Sequence, residues 1–195
     1  MKLVFASNNK HKLEEVRAIL TNHEVLSLND IGFYADIEET GDTLEANSLI
    51  KARNVADFIQ THAVSVDGIF SDDTGLEIDA LGGQPGVHTA RWAGEPANDA
   101  NNRRKALTLL EGQANRSARF RTVITLIRGE EEEQVEGRVE GKIATHESGN
   151  GGFGYDPVFV PEEYDKTFAE LPANVKNDIS HRARAMQALC KVIGD

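Results

Sequence analysis

Two aspartates in succession, Asp72 and Asp73, follow the apolar residues Ile69 and Phe70 and lead into Thr74 and Gly75. A carboxylate pair at the end of a buried strand, opening into glycine-rich chain such as LGGQPG, is suited to hold a hard cation against a phosphate. Magnesium-dependent phosphate chemistry is therefore the first expectation. A plainer reading competes with it, because Asp-Thr-Gly is ordinary turn chemistry and the carboxylates would then only shape a turn.

Three other segments carry residues able to meet a phosphate or a base. SNNKHK, from Ser7 to Lys12, stands between the apolar run Leu3 to Ala6 and the helically spaced Leu13, Val16 and Leu20. Free N–H groups and the dipole at such a helix start favour an anion, and Lys10 and Lys12 add positive charge. A Walker A loop, GxxxxGK followed by Ser or Thr, is absent. The triplet Ser180, His181 and Arg182 puts two cations in the first turn of the last helix, where they oppose the dipole unless an anionic or carbonyl-bearing ligand offsets them. SGNGGFGYDP, residues 148–157, sets Phe153 and Tyr155 among glycines. Such a backbone allows close approach to a planar ligand, and an aromatic ring stacks on a base. One of the two aromatics is expected to plug the core instead.

The elements that must position these groups are legible from periodicity. Leu3 to Ala6 reads as a strand before the first helix. Asp42 with Glu45 resembles a capping pair for a second helix, with Leu49, Ala52, Ala56 and Ile59 on one face. A buried strand is expected at about Ile69 to Ser71. Asn98 or Asp99 caps a third helix through Leu107 and Leu110, ending near Gly112. Residues 118–127 and 135–143 alternate as a hairpin turned by the acidic run Glu130 to Glu133, which reads as a solvated loop. Ser180 caps a last helix carrying Ala183, Met186, Leu189 and Ile193. The order strand, helix, helix, strand, helix, hairpin, helix predicts an α/β fold, a mixed β-sheet with flanking helices. Its parallel part should carry ligand at the carboxyl ends of the strands.

At 195 residues the chain is long enough for one well-filled core, and a single domain over residues 1–195 is expected. The 21 Lys and Arg against 32 Asp and Glu give a net charge of −11. That sum repels a long nucleic acid but is compatible with a small anionic ligand at a local basic cluster. Cys190 is the single cysteine, so neither a disulfide framework nor a cysteine-rich metal site can form. The apolar run at the start is too short for a signal peptide, and no segment reaches the roughly 18 to 20 apolar residues of a membrane span. A cytoplasmic protein is the expectation.

As an ordered set, the segments closely resemble the inosine triphosphate pyrophosphatase family, the XTP/dITP diphosphatases. SNNKHK is followed by EETG (Glu38 to Gly41), SDDTGL, LGGQPGVHTARWAG, GGFGYDP and KNDISHR, from about Leu3 to the last helix. The resemblance implies a Mg2+-dependent hydrolase of ITP, dITP and XTP, giving the monophosphate and pyrophosphate. It implies an elongated two-lobed α/β fold with a central cleft, commonly a homodimer. Carried over by position, Ser7, Asn8, Asn9, Lys10, His11 and Lys12 would bind the triphosphate. Glu39 and Asp72 or Asp73 would hold the metal, with Asp73 as proton acceptor and Thr74 and Lys51 assisting. Phe153, Gly154, Tyr155, Asp156, Lys176, His181 and Arg182 would form the base side. His88 stands where the family often has tyrosine, and Asn174 and Val175 stand where acidic residues are common. Two other readings use the same residues: a pyrophosphatase for modified pyrimidine or methylated nucleotides, and a non-catalytic nucleotide or RNA binder, which would not need the acidic set.

Overall fold

In the computed structural model, which describes residues 1–194 with the exception of the His11 side chain, the expected mixed sheet forms with helices on it. Its strand order is β2 (Glu24–Leu26), β1 (Lys2–Phe5), β3 (Gly68–Ile78), β5 (Ser117–Arg128), β6 (Glu131–Ile143) and β7 (Phe159–Pro161), with the short β4 (Pro85–Gly86) beside β3. β1 pairs in parallel with β2 and β3. β4 is antiparallel to β3, and β7 is antiparallel to β6.

Helix starts follow local chemistry. α1 (Lys10–Ile19) is capped by Asn9, whose side chain accepts the Lys12 N–H. α2 (Leu44–Thr61) is capped by Thr43, one residue later than the Asp42–Glu45 pair suggests. Thr43 has the extended backbone a cap requires, and its Oγ1 accepts the Ala46 N–H at 3.1 Å. Asn98, rather than Asp99, caps α3 (Asp99–Leu109). Ser180 ends α4 (Ala173–Ile179), a helix the periodicity did not predict, and its Oγ accepts the Ala183 N–H in the first turn of α5 (His181–Ile193).

Two expectations about strands need correction. β5 (Ser117–Arg128) and β6 (Glu131–Ile143) form the hairpin, but only Gly129 and Glu130 lie between them. Glu131 to Glu133 therefore begin β6 rather than forming the loop, because Gly129 at φ +60° closes the turn early. β3 does not stop at Ser71 but runs on to Ile78. Leu76 and Ile78 return the chain to a buried core, so tertiary pairing overrides the Asp-Thr-Gly turn signal.

The chain forms two compact units. Unit 1 comprises Met1–Asp73, Thr122–Glu136 and the segment from Ala185; unit 2 comprises Thr74–Arg121 and Gly137–Arg184. Strand alternation divides unit 1 into two cores. Leu3, Phe5 and Phe70 pack with Val16 of α1, with Leu20 just after it and with Ala185, Met186 and Leu189 of α5. Val4, Ala6 and Ile69 pack with Val55 and Ile59 of α2. Unit 2 has its own core, in which Leu76, Ile78, Phe120, Tyr155, Phe159 and Phe168 meet Ala106 of α3 and Leu110 just after it.

α2 is seated on the sheet by a buried hydroxyl cluster. Ser48 Oγ lies 3.0 Å from Ser71 Oγ and accepts from Thr125 N at 3.0 Å and Thr125 Oγ1 at 2.9 Å. All three residues are fully buried. Replacing Ser48 by Ala leaves the Thr125 N–H without its acceptor, which costs about 1–3 kcal/mol. A urea titration of Ser48→Ala should show its midpoint lowered accordingly, with an unchanged slope.

Candidate active site

Asp72 and Asp73 are neighbours in the chain but lie on opposite faces of β3. Asp72 shares the face of Phe70, where Lys12 Nζ from α1 donates to its Oδ2 at 2.7 Å. Asp73 shares the face of Ser71, under α2, where Lys51 Nζ donates to its Oδ1 at 2.9 Å. The same ammonium donates to Glu39 Oε1 at 2.9 Å. Glu39 and Asp73 thus converge on one cation, while Asp72 is turned to the other side. Among the described residues no three acidic, histidine or cysteine side chains gather as a metal cage.

The position is the one the parallel strands predict. Phe5 of β1 is level with Phe70 of β3, so Asp72 and Asp73 stand just beyond the carboxyl end of β1. There Ser7, Asn8 and Asn9 lead into α1, with Ser7 Oγ accepting the Asn9 N–H at 3.2 Å. Lys10 is exposed, whereas Lys12 is partly buried by its pairing with Asp72. The side chain expected at His11 lies outside the described residues.

Both aspartates are below 10% exposed. Burial raises the Asp73 carboxyl above its ordinary range, and Glu39 adds to that rise against the opposing pull of Lys51 and Lys12. Burial alone would lower the Lys51 ammonium, but Asp73, Asp72 and Glu39 outweigh it and hold Lys51 charged above its usual range. The partners differ because Lys51 faces three carboxylates, while Asp73 has one close ammonium against its desolvation. A raised folded-state pKa means that native Asp73 binds more protons than unfolded Asp73 between pH 3.8 and that pKa. In metal-free buffer, wild-type stability relative to Asp73→Asn should therefore fall as pH rises from about 4 through this window, then level off. Paired urea titrations at several pH values would measure it, and a rising difference would contradict the assignment.

In unit 2, the GGFGYDP loop separates its two aromatics as expected. Tyr155 is the core plug: it is buried and donates its hydroxyl to Thr89 O at 2.9 Å. Burial, and then Asp99, raise its phenol above the ordinary range. Phe153 is 62% exposed, with Lys176 Nζ 4.8 Å from its ring centre. Asp156 is buried, and its Oδ2 accepts from both the Phe153 N–H and Lys176 Nζ. Gly152 is required here, since a Cβ on it would meet Asp156 Oδ2 at 1.9 Å. His181 stacks on Phe120 at 4.8 Å, and Arg182 follows it, half-buried, in the first turn of α5. Thr74 continues β3, half-buried. A hollow of about 550 Å³ under the C-terminal half of α2, lined by Ala56, Ile59, Val66 and Ile127 among others, shares no residue with these groups.

Residues 3–192 match the sequence model of the Ham1 family. The chain belongs to the Ham1 family. Curated relatives of this Ham1 chain include the dITP/XTP pyrophosphatase of Flavobacterium johnsoniae, 48% identical over 99% of this chain and 98% of the relative. The dITP/XTP pyrophosphatase of Porphyromonas gingivalis is 50% identical, over 96% and 95%. Among solved structures, the Ham1 proteins of Staphylococcus aureus and Coxiella burnetii share 36% and 38% identity at a TM-score of 0.91 each, covering 100% of this chain and 98% of theirs. The resemblance expected from the ordered motifs and the mixed α/β fold are both borne out by these matches. No helix among the described residues is long and apolar enough to cross a membrane.

Some contributors had no sequence signal of their own. Ser48 and Arg103 read as ordinary helix residues and Asp99 only as a candidate cap, and their contacts alone reveal what they hold. The alternation of β3 could have been applied to Asp72 and Asp73, had the strand been extended past Ser71.

Proposed function

We propose that this Ham1 chain is a nucleoside triphosphate pyrophosphatase, acting as one domain. It hydrolyses ITP, dITP and XTP to the nucleoside monophosphate and pyrophosphate and so keeps deaminated purines out of DNA and RNA. The convergence of Glu39 and Asp73 on Lys51, at the carboxyl end of β1 and in a chain matched along its length by dITP/XTP pyrophosphatases, carries this reading. Mg2+ is the proposed cofactor, with the nucleotide as substrate, no nucleic acid partner, a homodimeric state and a cytoplasmic location.

The donor set fits a magnesium ion. Mg2+ takes hard oxygen ligands and is commonly held by one or two carboxylates together with waters and substrate phosphates. Glu39 and Asp73 supply two carboxylates already directed at one positive charge. When bound, the ion would neutralise phosphate oxygens and make phosphorus more electrophilic. Asp72, on the opposite face, instead holds Lys12.

The residues of the chain have separate tasks. The backbone from Ser7 to Lys10 and the start of α1 receive phosphate oxygens, with Asn9 fixing the turn and Lys12 adding charge. Lys51 holds Asp73 in place, with Thr74 adjacent to it in β3. Asp73 accepts the proton of the attacking water, as a carboxylate placed beside the metal and the phosphate can do. The phosphoanhydride bond then breaks and pyrophosphate leaves.

Phe153 stacks on the base, with Gly154 to Asp156, Lys176, His181 and Arg182 completing the base side. Hypoxanthine and xanthine present an acceptor at O6 and a donor at N1, whereas adenine presents an amino donor and an acceptor. An Arg182 donor directed at O6 would face a donor in adenine and lose its partner, which separates substrates by orders of magnitude. A pyrophosphate-release panel of ITP, XTP, dITP, GTP, ATP and TTP, with magnesium and with EDTA, tests the whole reading. ITP and XTP should be turned over far faster than ATP, whose base lacks the O6 acceptor, and only with the metal. Equal turnover of all purines would sink the base assignment, and turnover of none would return the chain to the binding-module reading.

A further inference from the structure

The exposed Phe153 ring sits on a backbone that is held unusually firmly. Helix α3 grips the next residue at both its backbone groups: Asp99 Oδ2 accepts the Gly154 N–H at 2.9 Å, and Arg103 Nη1 donates to Gly154 O at 2.8 Å. Arg103 is itself held by Glu147, whose Oε1 lies 3.1 Å from its Nε. Asp99 and Arg103 are four residues apart, so one face of the helix presents both an acceptor and a donor to a single glycine. Gly154, at φ +60°, supplies the backbone turn that lets its N–H and C=O meet them. With Asp156 fixing the Phe153 N–H, the peptides on either side of the ring are tied to side chains. A core needs no such arrangement for an aromatic that is mostly in solvent.

We propose that Asp99 and Arg103 are positioning residues for base recognition, acting through Phe153. They restrict the Phe153 and Gly154 backbone so that the ring is presented in one orientation before the base arrives. An exposed ring on a loose loop would lose that order on binding, and fixing it in advance converts the loss into affinity. This inference rests on the reading that Phe153 stacks on the base. Stacking a base on an aromatic ring is worth about five- to a hundredfold in affinity, and it acts on binding rather than on the reacting bond.

A double-mutant cycle on the full chain, read as KM and kcat for ITP, tests it. Arg103→Ala and Asp99→Ala should each raise KM several-fold while kcat changes less than about twofold. Asp99→Asn, which keeps an oxygen to accept the Gly154 N–H, should retain the wild-type KM. In a Phe153→Ala background the Arg103→Ala effect on KM should vanish, because the residue through which Arg103 acts is gone. If Phe153→Ala raises KM but Arg103→Ala leaves KM unchanged or adds its full effect to it, the positioning role is overturned and the stacking reading stands. If Phe153→Ala itself leaves KM unchanged, the stacking reading fails and the positioning role with it. Should Arg103→Ala fold poorly, Asp99→Ala against Asp99→Asn decides the same question.

Discussion

Replacing Asp73 by Asn should lower kcat for ITP by about two to four orders of magnitude, the usual contribution of a positioned general acid or base. The substitution keeps the size and one oxygen of the side chain, so β3 and its pairing should survive. What changes is the capacity to take a proton and the charge that faces Lys51. The variant should also be close to wild type in metal-free stability near neutral pH, since Asp73 is desolvated and its charge is only partly compensated there. Steady-state kinetics with saturating magnesium, together with a urea titration in EDTA, separate the two effects. Retention of more than a tenth of wild-type kcat by a folded variant would remove Asp73 from the role of base.

A second large effect is expected at Lys51. Its side chain is 12% exposed and its ammonium is shared by Glu39 and Asp73, with Asp73 only 11% exposed at its side chain. Lys51→Met fills the space but leaves two carboxylates facing each other without a cation. Breaking a buried ion pair in this way costs roughly 3–5 kcal/mol, and the low end applies here because Glu39 reaches solvent. The direction in magnesium is more informative than the loss itself. If Glu39 and Asp73 hold the metal, the ion offsets the missing ammonium, and Mg2+ should raise the melting temperature of Lys51→Met more than that of wild type. Thermal melts with and without Mg2+ measure this without reference to turnover. An equal shift in both proteins would argue that the metal is held elsewhere. Activity of Lys51→Met should fall sharply in either case, because Asp73 loses the contact that orients it.

The two expectations share a physical origin in the length of β3. What reads in one dimension as an aspartate pair becomes, when the strand continues, two carboxylates on opposite faces, each hydrogen-bonded to a different lysine while still within the field of the other's. Asp73 then has Glu39 as its acidic companion, although 34 positions separate them in the chain. Lys12 is less a free counter-charge for phosphate than one partner of Asp72, so its contribution depends on how far substrate competes for it.

The sequence by itself determined a good deal of this protein. The apolar periodicities located β1, α1, α2, α3, the β5–β6 hairpin and α5, because burying one face of a helix or strand leaves a regular imprint. Ser180, and Asn98 as one of two candidates, marked helix starts, since an uncapped helix end leaves N–H groups that such side chains satisfy locally; the cap at Asn9 emerged only in the structure. The ordered motifs identified the family, because several short segments in one order along the chain are far more specific together than any of them alone. Only the tertiary structure decided which carboxylate faces which lysine, and that Tyr155 rather than Phe153 enters the core. It alone showed that Asp99 and Arg103 hold Gly154, and that the Ser48 hydroxyl seats α2. These are contacts between segments 12 to 77 residues apart, with partners chosen by the pairing of strands and the docking of helices. No local pattern encodes a distance that exists only once the sheet has formed.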